Sequence, residues 1–245
     1  MSDEFFRGKI VVLTGGAKGL GRALALKFAS AGAVVIVTYK TSRHEAVALQ
    51  KELSAFDQRS GVFKLDVRNE GQVAAVFKKI FAQHKKIDVL VNLVGNFIYE
   101  PIEETTFEKF KDVIETNLYS TFLMSKIALE KMKKQKSGQI INFGCAAADR
   151  MTIRELTTPY YIAKTGVLML TKILANAYAP YGIKVNAVSP GILETSVAKH
   201  KVPTGRYAQF QDIWNAVKFL LAPESEYING ANIEVSGGWV PGVGN

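Results

Sequence analysis

Short apolar runs alternate with segments of helical spacing along this chain. Residues 10–14 form an apolar run with β-branched side chains, residues 22–31 carry apolar side chains at helical spacing, and residues 34–38 are again β-branched. A buried strand, a helix and a second buried strand have these patterns. The beginning of the chain therefore predicts a β-α-β unit.

The same alternation continues along the rest of the chain. Further strands are predicted at 61–65, 87–91, 139–143, 183–189 and 231–235, and further helices at 45–53, 71–83, 107–134, 159–178 and 208–221. Nearly continuous apolar strands separated by helices are typical of a parallel sheet covered on both faces. The sequence thus predicts an α/β fold, a Rossmann-type doubly wound parallel sheet of about seven strands with helices on both faces.

No feature of the sequence divides the chain into separate domains. It contains neither a Pro- or Ser-rich linker nor a low-complexity tract, so we expect residues 1–245 to form a single domain. Hydrophobic residues make up 48% of the chain, which provides for a large core and excludes disorder as the main state.

Cysteine usage and the apolar runs limit the class of protein. Cys145 is the only cysteine and the three histidines are scattered, so we expect neither a disulfide framework nor a metal site. The N-terminus lacks the layout of a signal peptide, and no apolar run approaches the roughly 18 to 20 residues that span a bilayer. We therefore expect a cytoplasmic protein without a membrane-spanning segment.

The net charge of +9 favours polyanionic partners, which include nucleic acid, a phosphate-rich cofactor and an acidic carrier protein. Many of the cations lie near the ends of predicted helices, where they favourably meet the negative end of the helix dipole. No helix-turn-helix, zinc-finger or aromatic-interleaved basic motif accompanies them. We therefore expect no nucleic-acid partner.

A glycine-rich turn follows the first predicted strand and leads into the first predicted helix. Within it, Gly15 permits a tight turn, Gly19 lets the backbone approach a pyrophosphate, and Gly21 allows close packing. The helix N-terminus adds unpaired N–H groups and a partial positive charge. The sequence predicts a dinucleotide site here, formed by Gly15, Ala17, Lys18, Gly19, Leu20 and Gly21.

The end of the second strand indicates which dinucleotide binds. A Rossmann protein selective for NAD places an acid there for the ribose 2′-hydroxyl, whereas residues 38–43 contain none. Cations and hydroxyls bind a 2′-phosphate by charge-assisted hydrogen bonds, although loop cations are also often simply solvated. We expect NADP(H), held by Lys18, Tyr39, Lys40, Thr41, Ser42 and Arg43.

Several further motifs occur together in one order and spacing, and jointly they are more specific than any single motif. They are the turn 14–21, Asp66-Val67, Asn92-Leu93-Val94-Gly95, Asn117, Tyr160-x-x-x-Lys164, Pro190-Gly191-x-x-x-Thr195 and Gly237-Gly238. The set spans nearly the whole chain and resembles the classical short-chain dehydrogenase/reductase family. Its general appearance is similar to the 3-oxoacyl-carrier-protein reductases and pteridine reductases within that family.

The resemblance implies roles for the residues of these motifs. Tyr160 would protonate a carbonyl oxygen as hydride leaves the nicotinamide, Lys164 would hold the nicotinamide ribose, and Asn117 would hold a water that resupplies protons. An ammonium beside the phenol would bring the pKa of Tyr160 down from about 10. Further cofactor contacts are implied for Asp66, Val67, Asn92, Gly95, Pro190, Gly191, Ile192 and Thr195.

Cys145 departs from the family pattern. It stands at the strand end where the family presents a catalytic serine, and residues 138–188 contain no serine. A thiol is a weak donor, and losing one oxyanion donor costs on the order of 2.7 to 4 kcal/mol. Four explanations stay open: a weaker stand-in, a protein with little turnover, a thiol that only fills space, or transfer of the role to Thr152, Thr157 or Thr158.

The segment after Gly191 is short for this family, which suggests an open pocket. Its polar residues either admit an acidic or bulky substrate or form a solvated flap. The residues concerned are Lys199, His200, Lys201 and Arg206.

Two function hypotheses follow from these residues and from the resemblance. The first is an NADPH-dependent oxidoreductase that transfers hydride to a ketone or an activated C=N bond of a small-molecule or acyl-carrier-linked substrate. The second is an NADP(H)-binding regulatory protein of the same fold with weakened catalysis, since Cys145 replaces serine. The resemblance also implies a homotetramer, or a homodimer, with paired helices from 107–134 and 159–178 at one interface.

Overall fold

Seven parallel strands form one sheet in the order β3-β2-β1-β4-β5-β6-β7. The computed structural model describes residues 4–196 and 200–241. The strands are β1 (Ile10–Leu13), β2 (Val34–Tyr39), β3 (Gly61–Lys64), β4 (Val89–Asn92), β5 (Gly138–Phe143), β6 (Ile183–Pro190) and β7 (Asn232–Val235). The predicted doubly wound α/β sheet is confirmed.

Helices cover both faces of this sheet. They are α1 (Gly19–Ser30), α2 (Arg43–Phe56), α3 (Glu70–His84), α4 (Phe107–Ile114), α5 (Ser120–Gln135), α6 (Thr158–Tyr178) and α7 (Phe210–Leu221). The chain winds outward from β1 to β3 and then returns to β4, beside β1. This reversal opens a crevice at the carboxyl ends of the strands, where proteins of this topology bind ligands.

The buried strands account for the continuous apolar runs of the sequence. Successive side chains of a strand point to opposite faces of the sheet. Val11 and Leu13 belong to the core under α1 and α7, whereas Ile10 and Val12 belong to the core under α3 and α5. Each face of the sheet therefore requires its own apolar residues, so these strands do not alternate between apolar and polar residues.

An aromatic cluster closes the core on the α1 and α7 face. The Phe28 and Trp214 ring centroids lie 4.9 Å apart at 89°, and those of Phe6 and Phe28 lie 5.2 Å apart at 90°. Edge-to-face pairs of this kind contribute about 0.5 to 1.5 kcal/mol beyond their buried area. The cluster fixes α1, whose first turn carries the glycine-rich segment.

The single long helix predicted at 107–134 is wrong in one respect, because a π-helical turn, Glu115–Tyr119, separates α4 from α5. Hydroxyls in this region donate to carbonyls one turn earlier, Thr116 to Asp112 at 2.6 Å and Ser120 to Thr116 at 2.6 Å. Such side-chain bonds compete with the regular helical ladder. Apolar spacing does not register this competition, and Asn117 lies in the turn.

Among residues 4–196 and 200–241, no helix combines the length and apolarity needed to cross a bilayer. Within the same residues, no group of three His, Cys, Asp or Glu side chains converges as metal ligands would.

Candidate active site

A cleft of about 390 Å³ opens at the carboxyl ends of the central strands. It brings together residues from β5, α6 and the segment after β6 that lie far apart in sequence. Nine of the predicted site residues line it, namely Leu20, Gly95, Cys145, Tyr160, Lys164, Pro190, Gly191, Ile192 and Thr195.

The glycine-rich turn has the geometry predicted for it. Gly15 has a φ of +68° and Gly19 a φ of +55°, a left-handed conformation that favours glycine. A Cβ at Gly21 would lie 2.6 Å from the Gly15 carbonyl oxygen, so close packing requires glycine there. Because α1 begins at Gly19 rather than at residue 22, its free N–H groups lie in the turn itself.

Gly16 is a further requirement of this turn that sequence reasoning missed. A Cβ at Gly16 would lie 2.6 Å from the Leu13 side chain and 2.7 Å from that of Val37. The position therefore needs glycine for packing against β2. In the sequence, the only signal for this requirement was the position of Gly16 between Gly15 and Gly19 of the glycine-rich motif.

The turn is tied to β4 by one hydroxyl. Thr14 Oγ1 accepts hydrogen bonds from the Leu93 N–H at 2.9 Å and the Val94 N–H at 3.3 Å. Val94 in turn approaches so closely that a Cβ at Gly15 would lie 2.8 Å from its side chain. Leu93 and Val94 thus pack beside the glycine turn.

The predicted adenosine end contains an ion pair that the sequence did not indicate. Asp66 binds Lys40 at 2.8 Å and Arg68 at 2.9 Å. The Arg68 hydrogen bond, with help from Lys40, holds the pKa of Asp66 well below its usual range. Lys40 is therefore shared with a carboxylate, and the cations in this region without such a partner among the described residues are Lys18 and Arg43.

The start of α2 lies at the same end of the site. Arg43 is its first residue and is exposed, and the Ser42 side chain makes no capping hydrogen bond. A free hydroxyl, a guanidinium and a helix N-terminus together suit an anionic group. Tyr39, the last residue of β2, and Thr41 lie beside them in the sequence.

Tyr160 and Lys164 lie four residues apart on α6 and face the cleft together. Lys164 is 5% exposed, its Nζ donates to the Phe143 carbonyl at 2.7 Å, and it lies 5.4 Å from the centroid of the Tyr160 ring. The Phe97 ring meets Tyr160 edge-on at 5.0 Å. An ammonium group has three donors, so two remain for a ligand.

The expected lowering of the phenol pKa is wrong for the cofactor-free protein. Burial of the hydroxyl raises the pKa of Tyr160 well above its ordinary value, and the same cause lowers the pKa of Lys164 to about 8. Desolvation disfavours the charged form of each group. Tyr160 is therefore a neutral phenol that holds a proton.

Cys145 is an unreactive thiol. Burial raises its pKa to about 12, although the positive charge of Lys164 opposes the shift. The neighbouring Tyr161 hydroxyl donates to the Ala146 carbonyl at 3.0 Å. A protonated thiol is neither a nucleophile nor a strong donor.

The three threonines considered in place of serine differ in their environments. The Thr152 hydroxyl donates to the Ala147 carbonyl at 3.0 Å, and the Thr158 hydroxyl donates to the Glu155 carbonyl at 3.1 Å. Thr157 lines the cleft, is 2% exposed, and has a buried hydroxyl without a hydrogen-bond partner in the described part of the chain. Only Thr157 thus combines a free hydroxyl with a place in the cleft.

Asn117 lies behind the cleft in the π-helical turn. Its Nδ2 donates to the Asn96 carbonyl at 2.8 Å and to the Val113 carbonyl at 2.9 Å. Its Oδ1 is buried, has no partner among the described residues, and points toward Gly95, where any Cβ would collide with it. The Asn117 side chain thus retains one unpaired acceptor behind the cleft.

Of the remaining predicted residues, some stabilise the sheet behind the cleft and others lie toward the mouth of the cleft. Asn92 donates to Ser125 at 3.0 Å and to Asn142 at 2.9 Å, and so secures the central strands. Val67 is buried outside the cleft lining. Arg206 is paired with Asp212 at 2.6 Å rather than free.

At the mouth itself, His200 lines the cleft, whereas Lys201 is exposed outside its lining. The prediction for Lys199 lies outside the described residues.

Sequence reasoning missed the distal wall of the cleft. Phe97, Tyr99, Arg154 and Trp239 all line it. The position of Phe97 and Tyr99 just after a strand end was an available signal for a ligand-facing loop. No sequence signal distinguished Arg154 or Trp239, because they reach the cleft from loops on different elements.

Comparisons with known proteins match the chain over almost its whole length. A family model described as enoyl-(acyl carrier protein) reductase matches residues 15–240. The 3-oxoacyl-[acyl-carrier-protein] reductase FabG of Escherichia coli (strain K12) is 36% identical over 95% of this chain and 98% of its own. The 2-dehydro-3-deoxy-D-gluconate 5-dehydrogenase of Formosa agariphila is 30% identical over 100% of this chain and 98% of its own.

The fold also matches that of a solved structure over almost the whole chain. A short chain dehydrogenase from Bacillus anthracis superposes with a TM-score of 0.88, at 29% sequence identity, over 97% of each chain.

The buried ammonium predicts a pH dependence of stability. The pKa of Lys164 is about 8 when folded and 10.5 ordinarily, so between these values the unfolded chain binds more protons and stability rises with pH. We predict that the unfolding free energy of the wild type, minus that of Lys164→Met, increases by on the order of 2 kcal/mol from about pH 7.5 to about pH 9.5.

Urea unfolding at several pH values measures this difference. The Lys172→Met variant, which removes an exposed lysine from the same helix, should leave the pH dependence of the wild type intact. A constant difference between the wild type and Lys164→Met across this range would contradict the burial of a titrating ammonium.

Proposed function

The chain belongs to the short-chain dehydrogenase/reductase family of oxidoreductases, and from that premise we propose that it is an NADPH-dependent reductase of a ketone or an activated C=N bond. One observation carries the proposal: a neutral phenol, Tyr160, and a buried ammonium, Lys164, share one cleft with the segment that follows β6. The substrate class includes 3-oxoacyl groups, because several relatives are named 3-oxoacyl-[acyl-carrier-protein] reductases.

The residues present fit a nicotinamide dinucleotide. Gly15, Gly19 and Gly21 leave room for a pyrophosphate at the N-terminus of α1. Pro190, Gly191, Ile192 and Thr195 line the cleft on the side where the nicotinamide would lie. When bound, the reduced cofactor supplies the hydride that this chemistry requires.

Tyr160 acts as the general acid in this proposal. The phenol would give its proton to the carbonyl oxygen of a ketone whose carbonyl carbon receives hydride from the bound reduced cofactor, so that the products would be an alcohol and the oxidised cofactor. Its raised pKa ensures that the proton is present before reaction. Lys164, held by the Phe143 carbonyl, keeps two donors for the ribose hydroxyls and stabilises the phenolate that forms.

Asn117 is a positioning residue for the return of the proton. Its free, buried Oδ1 accepts a hydrogen bond from a water, and its two Nδ2 bonds prevent the carboxamide from turning away. We infer that this water passes protons toward Lys164 after each turnover.

The chain exposes large apolar side chains on the helices that the resemblance places at an oligomer interface. Phe107, Phe122, Met169 and Ile173 are 48 to 75% exposed. Exposed apolar faces of this kind mark association surfaces. We propose a homotetramer or homodimer that covers these side chains.

We also propose that residues 1–245 form one dinucleotide-binding domain. A cytoplasmic location stays a prediction.

Reductase activity is tested by the loss of NADPH absorbance with a panel of ketones that includes acetoacetyl-coenzyme A and ethyl acetoacetate. We predict turnover in the wild type and a loss of at least about 100-fold in Tyr160→Phe, which keeps the ring but has no proton to donate. Tyr178→Phe, at the far end of the same helix, is the control. Tight NADPH binding without oxidation on any substrate would favour the regulatory alternative.

Cofactor preference is tested at the start of α2. Arg43→Asp combined with Lys40→Ala should weaken NADPH at least about tenfold more than NADH, because only NADPH carries the 2′-phosphate. Titration calorimetry measures both affinities, with Lys27→Ala on the exposed end of α1 as the control. Equal losses for both cofactors would contradict the 2′-phosphate assignment.

We propose that Thr157 replaces the missing serine hydroxyl, because Thr157 lines the cleft and its buried hydroxyl has no partner among the described residues, while Cys145 is a protonated thiol. Thr157→Val should lower kcat by about 100-fold with little change in KM, the effect expected for an oxyanion donor. Thr152→Val, whose hydroxyl is already bound elsewhere, should change kcat less than about threefold.

Two outcomes would contradict this assignment of Thr157. One is full activity in Thr157→Val. The other is a rate increase of about 100-fold in Cys145→Ser, which would show that the serine hydroxyl is missing and has not been replaced.

A further inference from the structure

Four flat side chains form a stack along the distal wall of the cleft. The Arg154 guanidinium carbon lies 5.9 Å from the centroid of the Tyr161 ring and 5.7 Å from that of Trp239. The His200 ring stacks on Trp239 at 6.0 Å with 19° between the planes. All four side chains line the cleft that holds Tyr160.

The charge of Arg154 is not neutralised by a carboxylate anywhere in the described part of the chain. Glu234 influences the same region electrostatically, but it already binds Arg150 at 3.4 Å, the Ala147 N–H at 3.0 Å and the Ser236 hydroxyl at 2.8 Å. Arg154 is half-buried and permanently charged. A guanidinium that is partly buried without a paired anion therefore keeps its hydrogen-bond donors for a ligand.

The stack leaves the donors of Arg154 available. Aromatic rings interact with the face of a guanidinium, whereas its five N–H groups point outward along the edge and form a fork that matches a carboxylate. The contacts of Arg154 with Tyr161 and Trp239 therefore do not use its hydrogen bonds.

The field of Arg154 reaches the reacting end of the cleft. Burial raises the pKa of the Cys145 thiol to about 12, and among the charges that oppose this shift are Lys164 and then Arg154. Arg154 thus lies close enough to act on the residue at the strand end. Tyr160 and Arg154 also line the same cleft.

His200 adds a second polar atom to the same wall. Its Nε2 is buried and has no hydrogen-bond partner within residues 4–196 and 200–241. Buried polar atoms are rarely left unpaired in native proteins. His200 thus offers an unpaired polar atom on the same wall of the cleft as Arg154.

We propose that Arg154, on the same wall as His200, binds a carboxylate of the substrate, so that small oxo acids are preferred to neutral ketones and thioesters among the compounds reduced. The inference rests on the proposed reductase function and narrows its substrate class. A cleft of about 390 Å³ accommodates a compound of a few carbon atoms together with the nicotinamide end of the cofactor. The carboxylate turns the ketone toward Tyr160.

Anion binding is tested without turnover by titrating acetoacetate into the enzyme saturated with NADP⁺. The chain has two tryptophans, so a Trp214→Phe background leaves the emission of Trp239, which contacts Arg154, as the signal. We expect saturable quenching by acetoacetate, at least a tenfold higher Kd in Arg154→Gln, an intermediate Kd in Arg154→Lys, and no saturable response to ethyl acetoacetate.

A matched control distinguishes the loss of a positive charge in general from the loss of the charge at Arg154. Arg59→Gln removes the same charge from an exposed position paired with Asp57 and should leave the Kd of acetoacetate within twofold. If Trp214→Phe does not fold, calorimetry on the chain with both tryptophans gives the same comparison. Absence of saturable acetoacetate binding, or equal binding by Arg154→Gln, would overturn the proposal.

Turnover measurements then distinguish whether the anion that Arg154 binds is a carboxylate of the substrate or a phosphate. Arg154→Gln should lower kcat/KM for acetoacetate at least tenfold while changing that for ethyl acetoacetate less than twofold, with an unchanged Kd for NADPH. An equal loss on acetoacetyl-coenzyme A, or weakened NADPH binding, would assign Arg154 to a phosphate and overturn the carboxylate. No NADPH oxidation on any ketone would instead refute the reductase function, whereas the titration still reports on the anion site.

Discussion

The Lys164 ammonium lies almost out of contact with water, at the point where β5 ends, and the arrangement of the cleft follows from how its charge is held. Burial of a cation is costly unless hydrogen bonds compensate. The Phe143 carbonyl at 2.7 Å provides one such bond, because β5 ends here. The two unused ammonium donors therefore face the cleft.

The same desolvation explains why the two titratable groups of the cleft keep separate protonation states. It raises the pKa of Tyr160 and lowers that of Lys164, so the phenol keeps its proton while the ammonium lies near its own transition at about pH 8. Charge in this region is consequently sensitive to any ligand that replaces water. A bound dinucleotide and an anionic substrate would both act on this balance, the first through Lys164 and the second, in our proposal, through Arg154.

Packing constraints and site chemistry coincide in the glycine turn and in the π-helical turn. Gly21 must approach the Gly15 carbonyl, and Gly95 must leave room for the Asn117 carboxamide. In each case a missing Cβ places a polar backbone or side-chain atom beside the cleft. Local irregularity of this kind is common where a fold supports a site.

The sequence by itself determined the order of strands and helices, the glycine turn, and the pairing of Tyr160 with Lys164, because these depend on periodicity and on spacing within one element. It did not determine the π-helical turn or the ion pair of Lys40 with Asp66, since each depends on competition among polar groups. Only the tertiary structure decided that Thr157, rather than Thr152 or Thr158, lines the cleft and has a hydroxyl without a partner among the described residues. Only the tertiary structure brought Arg154, Trp239 and His200 together, because contacts between loops on different elements leave no periodic trace in a sequence.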